Sequence, residues 1–561
     1  MPDAVVIGSG PNGLSAAVEL AWRGADVLVL EARDTIGGGM RTEELTVPGL
    51  RHDICSGCHP MGILSPYWRT LPLSEHGLRW VKPAASVAHP LDDGPAVLLY
   101  PSVDDTAAQL GPDARAYERL MTPLLHNPEG LLSDLMGPLG VPRHPLQLIR
   151  FGLLALRSAR GLAESRFAGE RARALFAGCA GHSILPLERM TTAAFGLIFS
   201  IAGHTEPWPV AEGGSASIAA ALASLLHERG GRIETGVHVR SMADLPPAKA
   251  YLFDTSPTQL ADIAGDALPA GYSRRLRRYR YGPGVFKLDL AVSGPIPWRD
   301  PRCLEASTVH LGGTLDEIAA AEAAVWAGEH PENPYVLVVQ QSQHDPTRSA
   351  DSHHSVYAYC HVPPGSTLDL TAVVERQIER FAPGFGQTIV ARHAMNTRDY
   401  QAHNPNYLGG AIAGGVADLG QLFTRPVARL NPYTTPNKSL FICSASTPPG
   451  GGVHGMCGFY AAKAAARVLL PVQGAGRCGL RPPAPASTSH GPSASGRTGA
   501  QTMRASWGGS ENTTRSRSAP SHPEGPHPTL RPCPPTPERP VRTGLCARSL
   551  CPSWPSCWAR A

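Results

Sequence analysis

One short stretch near the amino terminus limits the possible folds more than any other feature. Residues 8–13 read GSGPNG, which is a G-x-G-x-x-G pattern. The apolar strand Ala4–Ile7 precedes it, an Ala- and Leu-rich helix pattern up to Arg23 follows, and a second apolar strand covers 26–30. A buried strand, a glycine turn, a helix and a second strand form the βαβ unit of a Rossmann domain. The sequence therefore predicts an α/β fold whose parallel sheet binds a dinucleotide.

The glycines of this pattern have separate physical roles. The first permits the tight turn out of the strand, the second has no Cβ to block a pyrophosphate, and the third lets the helix lie close to the sheet. The helix that begins near Pro11 directs its free N–H groups toward the phosphates, and its dipole contributes ~0.3–1 kcal/mol. We therefore expect cofactor contacts at Gly8, Gly10, Pro11, Asn12 and Gly13.

An acidic residue at the end of the second strand narrows the choice of dinucleotide. Glu31 follows Gly13 by 18 positions. Its carboxylate would accept a hydrogen bond from a ribose 2′-OH, worth roughly 1.5–3 kcal/mol, and it would repel the 2′-phosphate of NADP. FMN lacks the adenosine ribose, so this residue leaves FAD or NAD. The alternative is an ordinary glycine turn beside an exposed glutamate.

Two further glycine runs favour the longer cofactor. Gly37–Gly39 lies just beyond Glu31, and 450–452 precedes a helix predicted over 459–470. Glycine lets backbone approach an extended cofactor and a flat ring. A helix amino terminus near the flavin N1–C2 carbonyl would stabilise the charge of reduced flavin. The alternative for the second run is a helix cap with a glycine turn.

Five motifs in this order resemble the FAD-dependent carotenoid/retinoid oxidoreductase family, the phytoene-desaturase-like flavoproteins, and within it the branch of pyridine nucleotide-disulfide oxidoreductase domain-containing protein 2. They are VVIGSGPNGLSAA, LEARDTIGGGMRT, the stretch 210–239, FDTSP and TPPGGGVHGMCGFYAA. The resemblance covers 4–470 and implies FAD, with the adenine beside Val239 and the flavin in the last motif. By match it predicts cofactor contacts at Gly38, Gly39, Arg41, Val239, Gly451, Gly452, Val453 and Gly455. Glu31 and the two residues after it, Ala32 and Arg33, are also predicted to bind the cofactor.

The predicted architecture is a Rossmann-type FAD-binding domain with an interleaved α+β substrate domain. Helices are predicted over 105–125 and 145–173, and strands over 232–239, 287–292, 335–340 and 356–361. The FAD-binding domain is assigned to 1–100, 206–270 and 431–476, the substrate domain to 101–205 and 271–430, and a tail to 477–561.

The composition changes sharply at this tail. The segment 477–561 includes 15 Pro, 11 Arg and 3 Glu, with no Lys, Asp, Ile, Phe or Tyr. Such a segment cannot bury enough apolar area to offset its ordering entropy, so we predict a disordered tail; the alternative is DNA read out of frame. The chain's net charge of +4 thus comes from the tail, and no nucleic-acid partner is expected.

The remaining patterns bear on location and on redox chemistry. Scattered cysteines and no secretory signal predict a soluble cytoplasmic protein, and the apolar run 192–203 is too short for the ~20 residues of a membrane span. The apolar stretches 148–156 and 195–201 predict core helices, a greasy tunnel or peripheral contact with the inner face of a membrane. Cys55 and Cys58 predict packing thiols, with redox or metal chemistry as the alternative; no metal site is expected.

The implied reaction is dehydrogenation or desaturation of an apolar, isoprenoid or carotenoid-like substrate by hydride transfer to flavin. The electron acceptor, quinone, O2 or NAD(P), is undetermined. His59 and His454 are candidate catalytic residues, with a structural role as the alternative for both. Two other functions stay open. One is an amine-oxidase-like enzyme with Tyr460 and Trp208 at the flavin face, and the other is a flavoprotein that mainly binds regulatory partners.

Overall fold

The computed structural model describes residues 1–138 and 140–469. The strands are β1 (Ala4–Ile7), β2 (Val27–Leu30), β3 (Thr42–Glu44), β4 (Arg51–Asp53), β5 (Trp80–Val81), β6 (Ala85–His89), β7 (Val97–Leu99), β8 (Val210–Ala211), β9 (Arg232–Glu234), β10 (Ala250–Phe253), β11 (Gly284–Val292), β12 (Ala306–Leu311), β13 (Val336–Val339), β14 (His354–Val362), β15 (Ile389–Met395) and β16 (Leu440–Ile442).

The α-helices are α1 (Pro11–Trp22), α2 (Pro60–Ile63), α3 (Val103–Ala107), α4 (Ala114–Met121), α5 (Pro128–Leu135), α6 (Pro145–Ala155), α7 (Ala159–Arg166), α8 (Glu170–Gly181), α9 (Thr192–Thr205), α10 (Ala216–Glu228), α11 (Pro257–Ala264), α12 (Ala270–Arg277), α13 (Leu315–Ala327), α14 (Gln341–His344), α15 (Thr371–Phe381), α16 (Phe385–Thr388), α17 (Thr397–His403), α18 (Leu419–Leu422) and α19 (Met456–Leu469).

The first sheet is parallel and has five strands in the order β16–β10–β1–β2–β9. Alternate side chains of β1 are buried on opposite faces. Ala4 and Val6 pack with α1, α10 and α19, while Val5 and Ile7 pack with α11 and α12. A parallel sheet covered on both faces accounts for the continuous apolar runs in its strands. The predicted Rossmann-type α/β fold is confirmed.

The second sheet has seven strands in the order β15–β11–β14–β13–β12–β6–β7. Neighbouring strands are antiparallel except for the parallel pair of β6 and β12. One face packs on α8 and α9, and the other packs on α15. This mixed sheet is the α+β part that the sequence predicts.

Several predicted elements end earlier than their patterns indicate. The helix predicted over 105–125 divides into α3 and α4 around a 3-10 turn at Gly111–Asp113, and the helix predicted over 145–173 divides into α6, α7 and the start of α8. The strand predicted over 232–239 stops at Glu234, because Gly236 has a φ of 73° that leaves the extended conformation. In each case, local glycines and turns interrupt or end the helix or strand before its hydrophobic pattern ends.

The assignment of segments to two domains stays a prediction. The first sheet takes strands from 1–100, 206–270 and 431–476, while β6 and β7 pair in the second sheet. The tail 477–561 and the last residue of the helix predicted over 459–470 lie outside the described residues. Within 1–138 and 140–469, no helix combines the length and apolar character that a membrane span requires.

Candidate cofactor cleft and active site

A continuous cavity of about 700 Å³ opens along the carboxyl ends of β1, β2 and β10. Its first part, the nucleotide cleft, is lined by 7–12, 30–33, 237–239, 254–257, 402–407 and 451–453, with Gly38, Gly39 and Arg41. Its second part, the aromatic cavity, is lined by His182, Ile184, Phe195, Phe199, Trp208, Thr308, Leu337, Val339, Tyr357 and Tyr359. The carboxyl edge of an open parallel sheet is where such folds bind ligands.

The glycine turn after β1 is shaped by close backbone packing. Gly8 has a φ of 100°, which L side chains rarely adopt. A Cβ on Gly13 would lie 2.0 Å from the Gly8 carbonyl oxygen, so α1 can pack against the turn only with glycine there. A Cβ on Gly10 would lie 2.6 Å from Asp254 Oδ2. The second glycine thus makes room for a neighbouring carboxyl group as well as for any ligand.

Glu31 stands in the wall of the nucleotide cleft and is held firmly. Its Oε2 accepts hydrogen bonds from the Ser9 backbone N–H at 2.9 Å and from the Ser9 hydroxyl at 2.6 Å. Its Oε1 accepts from the Arg33 N–H at 3.0 Å and from the Arg41 guanidinium at 3.1 Å. These four donors hold the carboxylate in one orientation at the end of β2, where the adenosine ribose is predicted.

Asp254 is a cleft residue that the sequence analysis missed. It follows β10 directly, and its Oδ2 accepts the Gly13 backbone N–H at 2.8 Å. It therefore takes one of the N–H groups in the first turn of α1 that the sequence analysis assigned to the phosphates. Burial raises the pKa of Asp254 to about 7, against the lowering effect of its backbone hydrogen bonds. Its position in FDTSP, at the carboxyl end of a parallel strand, was the available signal.

A second missed feature is the segment 402–407, the end of α17 and the loop after it, which lines the cleft. Asn406 Oδ1 accepts the Ser256 backbone N–H at 2.7 Å, and Asn406 Nδ2 donates to the Asp254 carbonyl at 3.2 Å. These bonds join a loop of the second sheet to the turn after β10. Nothing in the local sequence AHNPNY distinguishes this role from that of an ordinary turn.

The predicted flavin motif divides into lining and packing residues. Gly451, Gly452 and Val453 line the cleft. Gly455 is absent from its lining; it has a φ of 69°, and a Cβ there would lie 2.1 Å from Ser15 Oγ. Of the other predicted cofactor residues, those that line the cleft are Gly8, Gly10, Pro11, Asn12, Glu31, Ala32, Arg33, Gly38, Gly39, Arg41 and Val239, whereas Gly13 stands behind it.

The two candidate catalytic histidines are both held by the protein. His59 lines the cavity, but its Nε2 bonds Ser215 Oγ at 2.9 Å and its Nδ1 bonds Ser56 Oγ at 3.1 Å. His454 is buried outside the cavity lining, and its Nδ1 accepts the Met456 N–H at 3.1 Å. Burial lowers the pKa of each to about 4. This arrangement favours the structural alternative for both.

Cys55 and Cys58 also line the cavity as free thiols. Burial raises the pKa of both, that of Cys58 to about 11, so neither is a reactive thiolate at neutral pH. Cys58 Sγ lies 3.6 Å from Ser307 Oγ, while Cys55 lies beside Gly39. Different surroundings for the two side chains favour packing thiols over a redox pair.

Tyr460 and Trp208, the predicted aromatic pair, do not line the same cavity. Trp208 lines the aromatic cavity, whereas Tyr460 stacks on Tyr433 with ring centroids 5.8 Å apart and is absent from the lining. In its place, Tyr357 and Tyr359 line the cavity together, with centroids 5.7 Å apart in an edge-to-face arrangement. Alternation along β14 explains a shared neighbourhood for residues two apart, a relation that the sequence pattern alone did not single out.

The nucleotide cleft fits an extended dinucleotide. Its wall consists largely of glycine-rich turns whose backbone is open to a ligand. Asn12 Oδ1 and Thr255 Oγ1, both on cleft-lining residues, are buried polar atoms with no hydrogen-bond partner within the described part of the chain. Buried polar atoms are normally satisfied, so these two favour a polar ligand beside them.

Comparisons with known proteins agree with this geometry. A family model described as an NAD(P)-binding Rossmann-like domain matches residues 6–70. The mouse (Mus musculus) pyridine nucleotide-disulfide oxidoreductase domain-containing protein 2 is 27% identical, over 83% of this chain and 94% of that protein. A limonene dehydrogenase subunit from Castellaniella defragrans is 33% identical over 108 residues, 19% of each chain.

Solved structures extend the likeness to nearly the whole described chain. An oxidoreductase from Methanosarcina mazei matches with a TM-score of 0.57 and 16% identity, over 82% of this chain and 99% of that one. A redesigned putrescine oxidase matches with a TM-score of 0.54 and 17% identity, over 83% and 98%. The chain shares the overall fold of these two oxidoreductases. At these identities the likeness concerns the fold, and the chemistry must be argued from the site.

Proposed function

We propose that this protein is an FAD-dependent oxidoreductase that dehydrogenates an apolar, isoprenoid-type substrate. The observation that carries the proposal is one cavity with two unlike parts, a glycine-walled nucleotide cleft and an aromatic cavity that opens from it. The first part suits a long polar cofactor, and the second suits an apolar molecule held against the cofactor's reactive end.

The adenosine half of FAD would lie between Glu31 and Val239, with its ribose near the Glu31 carboxylate. The flavin half would lie along 451–453, at the opposite end of the cleft. Such a position would put the flavin next to the aromatic cavity, because the segment 55–62 contacts both. A Cβ on Gly62 would lie 2.9 Å from the Val453 carbonyl oxygen, and the Tyr357 hydroxyl donates to the Cys55 carbonyl oxygen at 2.5 Å. NAD, the shorter alternative, would leave the segment 451–453 without a role.

The substrate class rests on the lining of the aromatic cavity. Eight of its ten residues are Ile, Leu, Val, Phe, Trp or Tyr, and none is Asp, Glu, Lys or Arg. Apolar contact of this kind holds a hydrocarbon by burial and gives a charged substrate no partner. The partial likeness to a limonene dehydrogenase subunit supports an isoprenoid in particular.

Bound FAD would supply the redox chemistry by accepting a hydride from a substrate C–H bond, while the proton lost with it would pass to solvent, with quinone, O2 or NAD(P)+ as the final electron acceptor. The chain's own residues would bind and orient the substrate and keep water out of the aromatic cavity. Neither task requires an acid–base pair beside the ring, in agreement with the engaged nitrogens of His59.

A direct test begins with the isolated protein and its colour. We expect a yellow protein from which FAD, and no FMN, is released on denaturation. The holoprotein is then mixed without oxygen with limonene, geraniol, putrescine or NADH, and the flavin absorbance is followed. Bleaching by the terpenes supports the proposal. A colourless protein that takes up no added FAD, or bleaching by putrescine alone, would contradict it.

Amine oxidation is the second candidate. The edge-to-face pair of Tyr357 and Tyr359 in the aromatic cavity favours it, as does the fold that the chain shares with putrescine oxidase. The same bleaching experiment separates the two candidates, because putrescine and limonene carry no common functional group.

We also propose that α6 rests on an anionic membrane surface through which apolar substrates reach the protein. Leu146, Ile149 and Leu153 on this helix are 84%, 59% and 71% exposed, although all three are apolar. Arg143 and Arg150 are exposed beside them. An apolar stripe with basic neighbours is the pattern of a helix that lies in a lipid interface.

A further inference from the structure

Three neighbouring histidines, the half-buried His182 and the buried His310 and His89, lead inward from the wall of the aromatic cavity. His182 follows α8 and lines the cavity, and its Nε2 lies 3.0 Å from Nε2 of His310 on β12. His89 stands on the neighbouring strand β6, and its Nε2 lies 2.7 Å from the Gly313 carbonyl oxygen. Neither the nucleotide cleft nor the proposed hydride transfer gives these residues a role.

The contact with the Gly313 carbonyl oxygen shows which ring nitrogen of His89 carries the hydrogen. A carbonyl oxygen can only accept, so the Nε2 of His89 must carry the hydrogen and donate it. Burial lowers the pKa of His89 to about 4, so the ring is neutral at physiological pH. Its Nδ1 is therefore a lone pair.

That lone pair faces His310 across a glycine. A Cβ on Gly178 would lie 2.8 Å from Nδ1 of His89 and 2.8 Å from Nδ1 of His310. Both Nδ1 atoms are buried, and neither has a hydrogen-bond partner within 1–138 and 140–469. Since both atoms lie 2.8 Å from the same point, they are at most about 5.6 Å apart, and in this buried setting a hydrogen on His310 Nδ1 would be attracted by the His89 lone pair whereas a second lone pair there would be repelled. This electrostatic preference favours the tautomer of His310 that carries its hydrogen on Nδ1. Burial also keeps the pKa of His310 well below its usual value, so this ring holds one hydrogen.

The tautomer of His310 determines which way the hydrogen bond between His310 and His182 runs. With its hydrogen on Nδ1, His310 accepts at Nε2, so His182 must donate from its own Nε2. Burial lowers the pKa of His182 to about 3, with His361 as the second cause, so the ring is neutral. The one remaining nitrogen, Nδ1 of His182, is a lone pair on a residue that lines the aromatic cavity.

The surroundings of His182 define what this lone pair can bind. Phe199 lies against the ring with centroids 4.4 Å apart, and Trp208 meets it edge-on at 5.6 Å. The Trp208 indole N–H has no acceptor within the described residues. A hydroxyl group in the cavity can donate to Nδ1 of His182. A protonated amine would bring a charge that no carboxylate in this lining balances.

We propose that His182 Nδ1 is the hydrogen-bond acceptor for the substrate, and that the substrate is an apolar molecule carrying a hydroxyl group. This inference rests on the proposed function, because it takes the aromatic cavity as the substrate site. His310 and His89 are positioning residues that fix the tautomer of His182.

The binding test compares geraniol with geranyl methyl ether on the FAD-loaded protein, with the shift of the flavin spectrum as the signal. The two probes differ in the hydroxyl hydrogen and one methyl group. We expect geraniol to bind about tenfold more tightly, the effect of one net hydrogen bond. In His182→Phe this preference disappears, and in His310→Phe it falls. The control His330→Phe, at an exposed histidine, leaves it unchanged.

A second measurement does not depend on the variants. Side-chain 15N spectra of the histidine-labelled holoprotein report which ring nitrogen carries hydrogen. We expect His182 to carry it on Nε2 and His310 on Nδ1, and we expect geraniol to shift the His182 Nδ1 signal. The opposite tautomers, or equal or absent binding of both probes, would overturn the inference. A protein that takes up no FAD would instead overturn the proposed function.

Discussion

The Asp254 carboxyl group accepts an N–H group from the first turn of α1, at the place where a dinucleotide pyrophosphate is predicted to lie. Two anions cannot share this site without repulsion. A carboxyl group whose pKa is about 7 resolves the conflict, because below that pH it is neutral and can accept the Gly13 N–H without repelling a phosphate. The proposed binding of FAD would thus depend on pH through one buried side chain.

We predict that FAD affinity falls about tenfold between pH 6 and pH 8, as Asp254 loses its proton in the free protein. Asp254→Asn keeps the oxygen acceptor and removes the charge, so its affinity should be flat over this range. The folded-state pKa lies above the ordinary value of 3.8. The contribution of protonated Asp254 to the stability of the folded protein is therefore complete below pH 3.8, and it is lost as the pH rises through about 7. FAD titrations at both pH values check the prediction, and a wild-type affinity independent of pH would contradict it.

Glu31 provides the second prediction at this scale. Glu31→Ala should weaken FAD binding by about tenfold or more, since it removes a charged acceptor from the ribose and leaves Arg41 without its buried partner. Equilibrium dialysis of the apoprotein against FAD measures the change. Glu43→Ala, at an exposed glutamate on β3, is the matched control and should bind as the wild type does. Equal FAD occupancy in both variants would contradict the ribose contact.

At the level of elements, the contact between α1 and α19 joins the two ends of the cleft. A Cβ on Gly458 would lie 1.8 Å from the Asn12 carbonyl oxygen. We predict that Gly458→Ala lowers the free energy of unfolding by about 1–3 kcal/mol or more, because the helices must separate. The control Gly152→Ala has open space around it on α6, and we expect it to raise stability by about 0.5–1 kcal/mol. Chemical denaturation measures both, and equal stability of the two variants would contradict the close packing.

The exposed face of α6 gives a prediction of its own. Leu153→Asp should reduce binding to vesicles of phosphatidylcholine and phosphatidylserine several-fold, because it places a negative charge on the apolar stripe. Leu430→Asp changes an exposed leucine outside this helix and should have no effect. Vesicle co-sedimentation measures both variants. Wild-type protein that stays in the supernatant would rule out the proposed contact.

Elements with strong local signals were predictable from sequence, and contacts between distant segments were not. The sequence predicts β1 and β10 with the bounds that the structure has, because buried parallel strands are short apolar runs between turn residues. It does not predict that 402–407 lines the cleft, or that His89 and His310 stand side by side. The second relation arises from the pairing of β6 with β12, which lie far apart in the chain, and a single sequence carries no local pattern for such a pair.

At the scale of the whole molecule, the cofactor cleft is predicted to be complete within the segment 1–476. A chain that ends at Gly476 should bind FAD with unchanged affinity and unfold at an unchanged temperature, because the nucleotide cleft and the aromatic cavity are lined by residues up to Val453. Thermal unfolding and FAD titration of the shortened chain check this. A shortened protein that no longer binds FAD would show that 477–561 contributes to the fold.

The first sheet has a consequence for biosynthesis. Its central strand β1 leaves the ribosome long before β16 and α19, which cover the edge of β10 and the back of α1 and are the last of the described strands and helices to emerge. Until then the apolar side chains of β10 and α1 lack their final neighbours. The predicted cofactor cleft therefore cannot be complete until α19 has emerged, and the long interval favours protection of the nascent chain by a chaperone.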